Sequence, residues 1–71
     1  MQSIREQFAA NLRLHREDAG LSQEALADLC DLHRTEISLL ERAKRSPRLE
    51  TIAILAHGLN LPAGDLLKGI G

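Results

Sequence analysis

Apolar residues recur at helical spacings along most of this chain. Ile4, Phe8, Leu12 and Ala19 trace one stripe, which predicts a helix over about Ile4–Ala19 with one buried side, and Gly20 then supplies its C-terminal cap. Ser22 is the candidate N-cap of a second helix over about Gln23–Cys30, with Ala25, Leu26 and Leu29 on its inner face. A third helix is predicted to begin at His33 or Arg34 and to turn Ile37 and Leu40 inward, with Ala43 near its end, so the link between the second and third helices is very short. Pro47 punctuates the start of a fourth helix, about Leu49–Leu59, whose apolar side is Ile52, Leu55 and Ala56 and whose end Gly58 weakens. A last short helix is expected over Pro62–Leu67, since Pro is favoured in a first turn, and Leu66 and Leu67 then dock on the core.

Composition agrees with this pattern. The apolar residues are mostly Leu, Ile and Ala, Val is absent, and Phe8 is the one aromatic side chain, so an all-α fold is expected. With 71 residues, no internal repeat and no linker, residues 1–71 are expected to form a single domain. A core of this size leaves a thin stability margin, which a partner subunit would relieve. Cys30 stands alone, excluding an intramolecular disulfide, and no apolar run is long enough for a signal peptide or a membrane span; a cytoplasmic setting without membrane partners is expected.

The net charge of −1 hides an uneven distribution. Up to Leu32, Arg5, Arg13 and Arg16 are outnumbered by Glu6, Glu17, Asp18, Glu24, Asp28 and Asp31. From His33 to Arg48 the balance reverses, with Arg34, Arg42, Lys44, Arg45 and Arg48 against Glu36 and Glu41. Two helices joined by a three- or four-residue turn, the second opening in basic and polar residues, form the arrangement that lets a helix lie in the major groove of DNA. Ala27 supplies the small residue where two such helices cross, and Leu32, Ile37 and Leu40 follow as apolar anchors.

The stretch Gly20-Leu21-Ser22-Gln23-Glu24-Ala25-Leu26-Ala27, followed by Leu32-His33-Arg34-Thr35-Glu36-Ile37-Ser38-Leu39-Leu40-Glu41-Arg42, resembles the Cro/C1-type (XRE) helix-turn-helix family. Pro47-Arg48-Leu49-Glu50-Thr51-Ile52 and Leu59-Asn60-Leu61-Pro62 also look like that family's approach to helix four and its turn into helix five. The resemblance covers nearly the whole chain. It implies a compact five-helix, lambda-repressor-like domain with the helix-turn-helix over about residues 23–42, acting as a sequence-specific transcription regulator on double-stranded DNA. The small size is also similar to that of restriction-modification controller proteins, which act as dimers on their own promoters, although phage repressors and antitoxins share the signature. Two positions depart from the pattern. The family often has Gly where this chain has Asp31 and Ala43; Asp tolerates a left-handed backbone moderately well, whereas Ala43 does not, so helix three is expected to end differently there.

The resemblance implies that the start of helix three faces base edges. Arg34 is then the leading reader, suited to a bidentate contact with guanine, its other role being to hold a phosphate. Thr35 meets a thymine methyl or a phosphate, or is simply a tolerated first-turn residue. Glu36 either accepts from cytosine or, since a carboxylate repels phosphates, serves the helix dipole and disfavours wrong sequences; the second role is expected to dominate. Ser38 and Leu39, one turn on, either touch a base edge or methyl or are plain surface. Ser22 and Gln23 begin helix two, where free amides and the helix dipole favour an anion, and Gln23 matches the family's phosphate-binding glutamine. His33 caps helix three or touches phosphate. Arg42, Lys44, Arg45 and Arg48 are expected on the phosphate backbone rather than as a merely solvated face. Arg16 and Glu41 match a family ion pair with a structural role.

A single such domain covers little DNA, so a homodimer reading two half-sites is expected. Leu59, Leu61, Leu66, Leu67 and Ile70 are the candidate dimer interface, the alternative being that they fill the protomer's own core. Cys30, His33, His15 and His57 invite a metal-site interpretation, but Cys30-x-x-His33 lacks the second pair that a closed zinc site needs, so no metal and no cofactor are expected. No arrangement of nucleophile and base or of paired carboxylates stands out and no catalytic residue is assigned; neither a separate effector domain for a small molecule nor an enzyme is expected. The rival from another class is an antitoxin-like, protein-binding helical module with secondary DNA binding. The basic run beside Gln23 and Arg34 argues against it.

Overall fold

The structure is a computed structural model that describes residues 3–71, and among these the elements are five helices: α1 Ile4–Asp18, α2 Gln23–Cys30, α3 Arg34–Glu41, α4 Leu49–Gly58 and α5 Ala63–Leu66. α3 packs against both α1 and α2, α4 against α2, and α5 against α1 and α4. Phe8, Leu12, Leu26, Ile37, Leu40, Leu55 and Leu66 are fully buried, so every helix sends at least one large side chain into one core. Ala27 is 1% exposed, its small side chain fitting where α2 lies close to its neighbours.

α1 begins with a capping box. The Ser3 hydroxyl accepts from the Glu6 amide at 3.1 Å and the Ser3 amide donates to Glu6 Oε1 at 2.9 Å. The ends of α1 to α4 share one device. At each, a residue with left-handed backbone follows the last turn: Gly20, Asp31, Ala43 and Asn60, with φ of 73°, 55°, 59° and 57°. The next amide reaches back five residues: Leu21 to the Arg16 carbonyl, Leu32 to Ala27, Lys44 to Leu39 and Leu61 to Ala56. Leu21, Leu32 and Leu61 then fold onto the core, as an apolar residue does when it follows this kind of cap. Lys44, at the equivalent place after α3, is exposed instead. Ala43 therefore does not end helix three differently; it takes the conformation that glycine would. The fit of α3 between α1 and α2 imposes that turn despite the Cβ clash, which costs about 1–2 kcal/mol. Ala43→Gly is expected to raise stability by about 0.5–1 kcal/mol after the extra freedom of the unfolded chain is offset, a rise of about 2–8 °C in Tm by calorimetry.

Several expected core positions are exposed. Ile4 is 70% exposed and Ala19 is also outside, because the buried stripe of α1 is Phe8, Ala9, Asn11, Leu12 and Arg16, in its middle. Leu29 is 58% exposed because Leu26, Ala27 and Cys30 set the inner face of α2, turning Leu29 to solvent. Pro62 is the N-cap of α5 rather than its first residue.

The C-terminal apolar set divides. Leu66 is completely buried and Leu59 is 9% exposed, so these two belong to the core and not to a dimer interface: α5 is one turn long and is held to α1 and α4 by them. Leu61 and Ile70 pack partly buried against the same core, and Leu67 is left exposed. A polar clamp secures this segment. Asn11 Nδ2 donates to the carbonyls of Leu66 at 2.9 Å and Lys68 at 2.8 Å, and its Oδ1 accepts from Gln7 at 3.1 Å.

Candidate nucleic-acid interface

The interface is organised by one buried carboxylate. Glu41, the last residue of α3, has a side chain with no exposed surface. Arg16 of α1 donates to it twice, Nε to Oε2 at 2.6 Å and Nη2 to Oε1 at 2.9 Å, a bidentate charge-assisted pair. The remaining Arg16 nitrogen, Nη1, donates to the Leu21 carbonyl at 2.8 Å, in the turn leading into α2. Gln23, the first residue of α2, donates Nε2 to Glu41 Oε1 at 3.1 Å, and the half-exposed Arg13 lies 3.6 Å from the same oxygen. Burial pushes the Glu41 carboxyl up, but the Arg16 and Gln23 hydrogen bonds and the Arg16 and Arg13 charges outweigh it and hold the pKa below the usual carboxylate range. One carboxylate thus ties together α1, the start of α2 and the end of α3, setting the angle between the last two.

Ser22 caps α2, its hydroxyl accepting from the Ala25 amide at 3.0 Å. Gln23, the next residue, is held to Glu41 through its amide nitrogen. His33 is the N-cap of α3 by position but makes no side-chain cap hydrogen bond. Because Ile37 and Leu40 are driven fully into the core, the opposite side of α3 is presented outward. Arg34 and Thr35 are exposed in its first turn, and Ser38 and Leu39 are half-buried one turn on.

The basic loop between α3 and α4 lies beside this face. Thr35, Glu36 and Leu39 of α3 and Arg45, Ser46 and Arg48 of the loop line one surface groove of about 660 Å³, together with His33. Glu36 forms an ion pair with Arg45 across it. Arg42, Lys44, Arg45 and Arg48 are all exposed. The loop is steadied from α1, where Arg5 Nε donates to the Ser46 hydroxyl at 2.9 Å. The structure therefore gathers Thr35, Glu36, Leu39, Arg45 and Arg48, and His33 beside them. Arg34 stands on the outer face rather than in the groove; Gln23 is tied to the end of α3 through Glu41, and Ser22 precedes it as the cap of α2. Sequence reasoning missed Arg5 and the Glu36–Arg45 pair, since partners 41 and 9 residues apart leave no local signal.

Residues 7–68 match the family described as helix-turn-helix domain. Among known proteins, control protein C.SmaI of Serratia marcescens is 45% identical over 68 residues, covering 96% of this chain and 81% of that protein. The crystal structure of a hypothetical transcription factor from Neisseria is similar at a TM-score of 0.88 with 41% identity, covering 93% of this chain and 76% of that one. The restriction-modification controller protein C.AhdI from Aeromonas hydrophila is similar at a TM-score of 0.85 with 37% identity, covering 87% of this chain and 94% of that one. A helix-turn-helix geometry locked by Glu41, a polar outward face on α3 and a relative 45% identical over 96% of this chain lead to one assignment: the chain belongs to the helix-turn-helix domain family of the Cro/C1 (XRE) type, sequence-specific DNA-binding regulators of transcription.

Proposed function

We propose that this regulator acts as a controller-type protein: a cytoplasmic homodimer that binds a two-part operator, upstream of its own gene, and not an enzyme. The observation that carries it is the placing of Arg34 and Thr35 on the outward first turn of α3 beside the exposed cations of the basic loop, so that base edges and phosphates are met by one surface. The similarity to control proteins supports autoregulation. Among the described residues no helix is long and apolar enough to cross a membrane.

The size of the domain supports the dimer. With extents of 32 × 23 × 22 Å, one copy carries one α3, whereas half-sites repeat about every 34 Å along the duplex. With Leu59 and Leu66 in the core, the exposed apolar residues open to a second copy include Leu67, and Leu29 and Ile54 at a groove between α2 and α4, besides Ile4, Leu14 and Leu49 elsewhere.

Fluorescence anisotropy on the duplex upstream of the gene, against a scrambled duplex at two salt concentrations, tests the proposal, with sedimentation giving the stoichiometry. Tight, salt-weakened binding to the first alone, two protomers per site, is expected. Weak and equal binding to both would favour the antitoxin-like alternative, in which a protein is the main partner.

A further inference from the structure

Glu36 follows Arg34 and Thr35 in the first turn of α3, and its side chain is 21% exposed. Arg45, with a side chain 53% exposed, reaches it from a loop segment outside any helix. While the pair is closed, the two charges cancel where the phosphate backbone arrives. Arg45 then adds nothing to phosphate binding, and Glu36 is shielded from the repulsion a bare carboxylate would meet. A carboxylate on a reading helix has one good partner among the bases, the amino group of cytosine, and an exposed ion pair is weak enough to be exchanged for it.

The geometry points to a coupled reader: on the proposed DNA surface, Glu36 accepts from a cytosine amino group and thereby releases Arg45, which donates to a neighbouring phosphate. On other sequences the pair stays closed. Base recognition by one residue thus switches on backbone affinity through another, and Glu36 determines specificity twice, by its own contact and by the cation it controls. Ser46, held by Arg5, anchors the loop so that the Arg45 side chain rather than the loop backbone makes the exchange.

The test compares wild type with Glu36→Gln, Arg45→Ala and the double variant. Each is titrated on a random-sequence duplex over a range of salt, and on duplexes selected by the wild type and then varied one base pair at a time. Both side chains lie outside the core, so circular dichroism and unfolding midpoints are expected to match wild type. On random DNA, Glu36→Gln is expected to steepen the dependence of log affinity on log salt by about 0.9, one added phosphate contact, and to have no such effect when Arg45 is already Ala. On selected duplexes it is expected to lower the preference for cytosine at one base pair by roughly five- to 150-fold, with adenine gaining, since a glutamine amide suits adenine. An unchanged salt slope overturns the coupling even if the cytosine preference falls, and an unchanged preference overturns Glu36 as a reader. A wild type that binds neither kind of duplex would sink the DNA-binding proposal itself, and that is visible before any variant is made.

Discussion

Glu41→Ala is expected to lower the unfolding free energy by about 3–5 kcal/mol, as removal of one member of a buried ion pair does. The Arg16 side chain, 10% exposed, would lose its bidentate partner and keep the Leu21 carbonyl and the exposed Glu17 carboxylate 3.9 Å away. A domain of 71 residues has only about 4–11 kcal/mol to lose, so Tm should fall by more than about 12 °C in calorimetry. Replacing both partners, Arg16→Met with Glu41→Leu, removes the charge with its complement and should recover most of the loss. DNA affinity should not recover with it, because Gln23 would still lack the carboxylate that holds it. Affinity that returned in full would show that Gln23 is not a phosphate contact.

The same carboxylate sets an acid limit. Its pKa is lower in the fold than its ordinary value of 4.5, so the stability it contributes is fully present above pH 4.5 and is lost as pH falls through the depressed folded value. Wild type should therefore lose stability on acidification through this range, and the double variant should lose less.

Arg34→Ala is expected to lower affinity for the operator by roughly five- to 150-fold, about 1–3 kcal/mol, with little change on random DNA. Arg34 is exposed, and Ala is a good helix former, so the fold should be intact. A uniform loss on both duplexes, with the salt slope reduced by about 0.9, would make Arg34 a phosphate contact and remove it from the base readers.

Periodicity alone located the helices to within a residue or two, because a helix in so small a domain must bury one stripe, and Phe8, Leu12, Ile37, Leu40, Leu55 and Leu66 mark it. Short-range chemistry located the Ser22 cap and the Gly20 stop, since both act within one turn. The outward face of α3 came into view through the family resemblance of Gly20–Ala27 and Leu32–Arg42, with the basic run after that helix beside it. Periodicity could not decide how far each stripe extends. Ile4 and Leu29 have the spacing of core residues and are exposed, because burial depends on which neighbour lies opposite. Leu59 and Leu66 looked spare and are core, because α5 folds back across α1 and α4.

Long-range polar partners were equally hidden. Asn11 on the C-terminal carbonyls, Arg5 on Ser46 and Arg45 on Glu36 carry no local signature, since a hydrogen bond depends on where the chain returns and not on what stands next in sequence. Ala43 is the sharpest case. Local preference argues against a left-handed alanine, and the packing of α3 against α1 and α2 overrides it, because the burial of Ile37 and Leu40 outweighs about 1–2 kcal/mol of backbone strain. What the sequence determined by itself was whatever acts within a turn of helix or repeats with its period. What only the tertiary structure decided was whatever needs two distant segments to meet.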